Sequence, residues 1–351
     1  MCGVDSILFT MGKLRIREDF HALSRSRYGI AGFVMALAIL IGGCRSNRQI
    51  KVAVIPRTEG TLLWDPIHTG AEIAADGTDV QIYWTAPTRE DDVDAQIRLV
   101  ERVVKGNYQG LVLAPDQALS LITPVRRALA QGIPTVIIGS PLPIPAGGDL
   151  YYILNDDTEG GRMAGQRIAE LLKGHGSVAL LGINPDVTGI MIRVRAFEEF
   201  LAQHYPDIHV VERREGTLNV PHEQQVAEDV LRSNPNLDAI VAFMWTTVDG
   251  TLLALDSRPM NHDIKMIGFD AEGLPPFNQQ PKLDSVIQEN SRSLGQQAIQ
   301  LIRQRRLGAS PPNTMLISPK LITRQNIDSD EVMAMMSGDW KLGHWHWSST
   351  R

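Results

Sequence analysis

From Gln49 onward the sequence repeats one pattern: a short run dense in Val, Ile and Leu, a turn, then a longer amphipathic stretch. The short runs are Lys51–Pro56, Val80–Trp84, Gly110–Ala114, Thr135–Ile138, Tyr151–Leu154, Ser177–Leu181, His209–Arg213, Ala239–Phe243 and Lys265–Phe269. They show little in–out alternation, as strands do when both faces of their sheet are covered. The pattern therefore predicts an α/β fold of doubly wound parallel sheets flanked by helices. At 351 residues the chain outgrows one hydrophobic core, so two such lobes are expected.

The intervening stretches carry helix signals. Asp92–Lys105 places Val93, Ile97, Val100, Val103 and Val104 on one stripe. Leu121–Gln131 runs into Gly132 with Pro134 beyond, Gly160–Lys173 stops at Gly174, and Arg193–His204 ends before Pro206. The acidic Glu90, Asp91 and Asp92 suit the positive end of the helix that follows.

The first fifty residues set the compartment. Arg25 and Arg27 precede an apolar run, Tyr28–Ile41, and then Gly42, Gly43 and Cys44. That run is shorter than the roughly 20 residues a spanning helix needs, and the whole arrangement is that of a secretory signal. Residues 1–43 thus read as a signal peptide, with Met1 or Met11 as its start, and residues 44–49 as a linker. Ile41–Cys44 resembles a bacterial lipobox, which implies cleavage before Cys44 and lipidation of its thiol; an uncleaved N-terminal anchor is the alternative. Both place the body outside the cytoplasm, in the periplasm or at the cell surface. Cys2 lies on the discarded side, so no disulfide framework is open to the mature chain. The formal net charge is −6, and the leader is more basic than acidic, so the mature body is more acidic still. A broad basic surface for nucleic acid is excluded.

Four strings stand in register with these elements. Lys51–Pro56 is followed by Leu63-Trp64 and Gly70-Ala71-Glu72; Gly110–Asp116 reads GLVLAPD and precedes Ala130–Ile138, AQGIPTVII. Asn155–Gly165 reads NDDTEGGRMAG, and Ile267-Gly268-Phe269-Asp270 with Leu321–Ile327, LITRQNI, closes the series. In this order they resemble the type I periplasmic binding proteins of the ribose/galactose class, over about residues 51–327. The resemblance implies two hinged lobes that close on a small molecule without catalysis or cofactor. It also implies three crossings of the chain between lobes, near Leu154, Phe269 and Glu289. The lobes would be residues 50–154 with 269–289, and 155–268 with 290–328, leaving 329–351 as a tail.

A pocket follows from the same resemblance. Asp270 matches an aspartate that accepts hydrogen bonds from sugar hydroxyls, although a carboxylate there can instead cap the next helix or tie the hinge. Leu63 and Trp64 match paired aromatics over the ligand; the Trp64 face would stack on a sugar ring or a cation, or lie as a lid on its own lobe. Elsewhere the sugar-class residues are replaced. Gly139-Ser140 stands for an Asp-Arg pair, Met191 for the pocket arginine, and Met244, with Trp245 beside it, for an asparagine. Glu289, or Gln288 with a one-residue slip, stands for a glutamine; Asn155 stays polar, and Arg193 matches a second arginine of structural use. An unpaired buried hydroxyl costs roughly 1–3 kcal/mol. These exchanges therefore point to a less polar or amine-bearing ligand beside a simple sugar.

The expected function is capture of that molecule by an exported, lipid-anchored, monomeric receptor that delivers it to an ABC permease. The alternative is a ligand sensor of the same fold coupled to a chemoreceptor or sensor kinase. An enzyme is not expected, since no P-loop, zinc-protease motif or nucleophile elbow occurs. Gly160–Gly165 lacks dinucleotide-binding spacing and reads as a close helix–sheet contact, and His344–Trp347 as a mobile or loosely docked tail.

Overall fold

Each of the nine apolar runs becomes a strand. The computed structural model describes residues 49–59, 62–89, 91–257, 262–271, 277 and 280–336; Cys44, the leader, Glu90 and His344–Trp347 lie outside the described residues. The chain runs β1 (Ile50–Ile55), α1 (Asp65–Ala75), β2 (Val80–Trp84), α2 (Val93–Lys105), β3 (Gly110–Leu113), α3 (Ala118–Ala130), β4 (Thr135–Gly139) and β5 (Leu150–Asn155). It continues through α4 (Asp157–Leu172), β6 (Gly176–Ile183), α5 (Thr188–His204), β7 (Ile208–Glu215), α6 (Val220–Ser233), β8 (Ala239–Ala242), α7 (Trp245–Ser257) and β9 (Lys265–Phe269). Then follow β10 (Leu283–Gln288), α8 (Ser291–Arg306), β11 (Thr314–Ile317), β12 (Lys320–Thr323) and α9 (Asp330–Met336).

The local signals act as expected. Asp92 caps α2 by accepting the Ala95 N–H at 2.9 Å, and the valine stripe buries Val100 and Val103 completely. Gly132, at φ +70°, takes the left-handed turn that ends α3. Helix α5 starts at Thr188, five residues earlier than the pattern indicated, so Met191 and Arg193 share one helix. Two residues turn a helix by about 200°, which sends them to nearly opposite faces.

Two six-stranded sheets result, in the orders β11-β5-β4-β3-β1-β2 and β12-β10-β9-β8-β6-β7. All neighbouring strands are parallel except β12, which runs antiparallel to β10. This pairing corrects the expected lobe boundaries. The chain first passes from one sheet to the other after β5, through Asn155–Asp156. The chain does not leave the second lobe at Phe269, because β10 pairs with β9; residues 269–289 therefore belong to the second lobe. The second crossing comes at Glu289, and α8 packs on α1 with Leu294, Ala298 and Ile302 in the first lobe's core. The third comes between β11, paired with β5, and β12, paired with β10. The expected tail is also corrected at its start: Val332 and Met335 of α9 are buried in the second lobe's core.

Close helix pairs cover the sheets: α1 with α8, α4 with α5, and α6 with α7. A Cβ on Gly295 would collide with the Ile67 carbonyl, and one on Gly161 with the Arg193 carbonyl, so these pairs approach at backbone distance only through glycine. The Gly160–Gly165 string is thus only partly a helix–sheet contact: Gly160 faces Phe269, whereas Gly161 and Gly165 face α5. Among the described residues no helix is long and apolar enough to cross a membrane.

Candidate functional site

Loops leaving the carboxyl ends of both sheets enclose a cleft of about 490 Å³. Arg57 follows β1 and Asp116 follows β3, flanking the point where the first sheet's strand order reverses; Asn184 follows β6 and Met244 follows β8 at the same place in the second sheet. Ligands of open α/β sheets bind at such switch points.

The first-lobe wall is built around Gln96, a fully buried residue of α2. Its amide donates to the Pro56 and Ala114 carbonyls at 3.1 and 2.8 Å, and its oxygen accepts the Asp116 N–H at 2.9 Å. One side chain thus clamps the ends of β1 and β3 and sets Asp116 in place. Arg57 is held beside it, Nε donating to the Pro115 carbonyl and Nη2 to Ser140 Oγ. Burial pushes the Asp116 carboxyl above its ordinary value; the Arg57 charge opposes this, and Asp91 acts both ways, its charge adding to the rise and its backbone hydrogen bond opposing it. Trp64 packs on the first lobe's core while also lining the cleft.

The second-lobe wall is organised by Arg193, only 5% exposed. Its Nε donates to Asp157 Oδ1 and its Nη1 to Asp270 Oδ2, both at 2.7 Å, while Nη2 donates to Glu289 Oε1. The guanidinium lies 4.9 Å from the Phe269 ring centroid, and Phe269 stacks on Phe243. Burial alone would lower the Arg193 pKa, but the Asp270 and Asp157 carboxylates outweigh it and hold it above its ordinary value. Burial likewise raises Asp157, against the pull of Arg193. Asp270 takes a left-handed backbone, φ 52°, uncommon for a residue with a Cβ, and its Oδ1 accepts the Glu289 N–H at 3.2 Å. Buried Glu223 fixes the facing loop: its Oε1 accepts from the Thr217 backbone N–H and its Oε2 from Thr247 Oγ1.

Of the residues singled out from sequence, Leu63, Trp64, Ser140, Asn155, Met244, Trp245, Asp270 and Glu289 all line this cleft. Met191 does not: it is 38% exposed on the outer face of α5, and Arg193 reaches the cleft instead. Asp270 ties the hinge edge of its own lobe, with a protein partner on each carboxylate oxygen. Glu289 stands at the cleft, whereas Gln288 turns back to accept the Ala271 N–H. Sequence reasoning missed Arg57, Gln96, Asp186 and Thr217. Asp116 stood within a recognised string without being taken as a site residue.

This geometry defines a two-lobed binding protein. Residues 52–310 match the family model described as periplasmic binding protein domain, and the chain belongs to that family; it captures a solute and is not an enzyme. It is 23% identical over 250 residues to the D-apiose import binding protein of Paraburkholderia graminis, spanning 70% of this chain and 79% of the relative. It is 25% identical over 262 residues to the D-allose-binding periplasmic protein of Escherichia coli, spanning 72% and 83%. The fold is that of an ABC transporter solute-binding protein from Burkholderia graminis solved in complex with D-arabinose, with a TM-score of 0.73 and 22% identity over 81% of this chain and 99% of that one.

Proposed function

We propose that the chain is the exported solute receptor of an ABC importer, a monomer tethered through lipidated Cys44, which takes a hydroxylated small molecule into the interlobe cleft and presents it to a permease. One observation carries the reading. Trp64 Nε1, Asp116 Oδ2 and Asn155 Oδ1 are buried without a hydrogen-bond partner, and all three residues line the one cleft. An unpaired buried polar group costs about 1–3 kcal/mol, so such a cleft is complementary to a molecule that brings its own donors and acceptors. The relatives named for D-apiose import and D-allose binding support a sugar-like solute and a permease partner. The lipobox-like Ile41–Cys44 supports the tether.

The test is a thermal-shift and tryptophan-fluorescence screen of the purified protein against pentoses, hexoses, polyols, amines and nucleosides. A captured solute at 100 times its Kd stabilises the folded state by about 2.7 kcal/mol and alters emission through Trp64 and Trp245. If no member of the panel changes either signal, the solute reading fails. Fractionation of cells expressing Cys44→Ser tests the tether: the variant should leave the membrane fraction, and its retention there would sink that part.

A further inference from the structure

We infer that the captured solute is a cation: a hydroxylated skeleton carrying a protonated amine. The inference rests on the solute-receptor reading and specifies its ligand class. Seven carboxylates line the cleft, from Asp91, Asp116, Asp157, Asp186, Glu215, Asp270 and Glu289, against only the two guanidiniums of Arg57 and Arg193. Both cations are committed to the protein. Arg193 serves three of those carboxylates with its three nitrogens, and Arg57 is bonded to the Pro115 carbonyl and to Ser140. Asp186 and Glu215 stand exposed at the rim with no ion pair among the described residues. A cleft lined by one sign of charge concentrates ligands of the other.

Hydrogen-bond chemistry points the same way. Of the three orphaned atoms, two are acceptors, Asp116 Oδ2 and Asn155 Oδ1, and one is a donor, Trp64 Nε1. The cleft is therefore short of donors, of which an ammonium brings three and no competing acceptor, whereas a hydroxyl brings one donor with two acceptor lone pairs. Trp64 and Trp245 line the same space, and an indole face attracts a cation. The groups facing Asp116 are Arg57, Asp91 and Asp92; their net sign leaves its carboxylate short of positive charge, in keeping with the upward push on its pKa by burial.

Calorimetry with matched ligands tests this: D-glucose, D-glucosamine and N-acetyl-D-glucosamine, and sorbitol beside 1-amino-1-deoxysorbitol, at neutral pH. In at least one set the amine should bind about tenfold or more tighter than both its hydroxyl twin and its N-acetyl form. Raising salt from about 20 mM to about 500 mM should weaken the amine and leave the neutral twin unchanged. In Asp116→Asn the amine should fall to within about threefold of the twin, and the melting curve of that variant shows that it is folded. Neutral twins binding as well or better overturn the cation while leaving solute capture intact. Binding by no member of any set overturns both.

Discussion

Replacing Arg193 with methionine removes the charge at the centre of the second-lobe wall while keeping much of the side chain's bulk. Arg193 and Asp157 are 5% and 7% exposed, so the variant leaves a carboxylate buried without its counter-charge. Breaking a buried pair from one side costs about 3–5 kcal/mol. Asp270 and Glu289 are more exposed, at 15% and 22% of their side chains, and contribute less. With unfolding entropy of about 2.1 cal/mol/K per residue over a body of about 290 residues, Tm falls by about 5–8 °C if the body melts as one unit. The dependence on pH identifies the cause. Burial already raises the Asp157 carboxyl, and Arg193 is what opposes it. Without Arg193 the folded-state pKa rises further above the unfolded value. The penalty is then full above that folded pKa and is relieved as pH falls through it. Calorimetric melts from neutral to mildly acidic pH should show the gap to wild type narrowing, and adding Asp157→Asn should restore most of the loss at neutral pH. A variant that melts with the wild type, or a gap unchanged by acid, would refute the account of Arg193 as counter-ion.

Two further outcomes can be checked by melting alone. Ligand-free Asp116→Asn should melt above wild type at neutral pH. The folded carboxyl sits above its ordinary value, so wild type loses stability as pH rises through that window, and the difference should vanish as pH falls to the ordinary carboxylate range; a lower Tm at neutral pH counts against it. Gly295→Ala should destabilise by about 1–3 kcal/mol, because the new Cβ meets the Ile67 backbone carbonyl rather than a side chain that can move, and this outweighs the ~0.5–1 kcal/mol that alanine gains in a helix interior. Equal or higher stability there would refute the backbone-contact reading of α1 and α8.

What could be read in the sequence tracks how local the encoding is. Strands such as β1, β3, β4 and β8 were legible because burial on both faces leaves a continuous apolar run, whereas β2 and β7, at the sheet edges, are half-buried or largely exposed. β10 was not legible: LDSVIQ mixes in polar residues, and Ser285 and Gln288 are nonetheless buried. β11 and β12 are four residues each at sheet edges, with alternating or partial exposure, too short for a period to declare itself. Losing β10 displaced the lobe boundary, since its pairing with β9 keeps 269–289 in the second lobe. At the site, Trp64, Asn155 and Asp270 were found through their strings. Arg193 has the structural partners expected of it while also lining the cleft, and Met191, two residues earlier on the helix that starts at Thr188, falls on the outer face.

The sequence by itself determined the α/β class and nine of the strands, because each depends on neighbours within a turn or a strand; two lobes and a cleft at strand ends followed from chain length and the family resemblance. Only the tertiary structure decided which carboxylates Arg193 would serve, which polar atoms would be left without partners, and how charge would accumulate around the cleft. Arg193 meets residues 36, 77 and 96 positions away in the chain. Such pairings depend on sheet order and helix packing, and no periodicity along the chain encodes them.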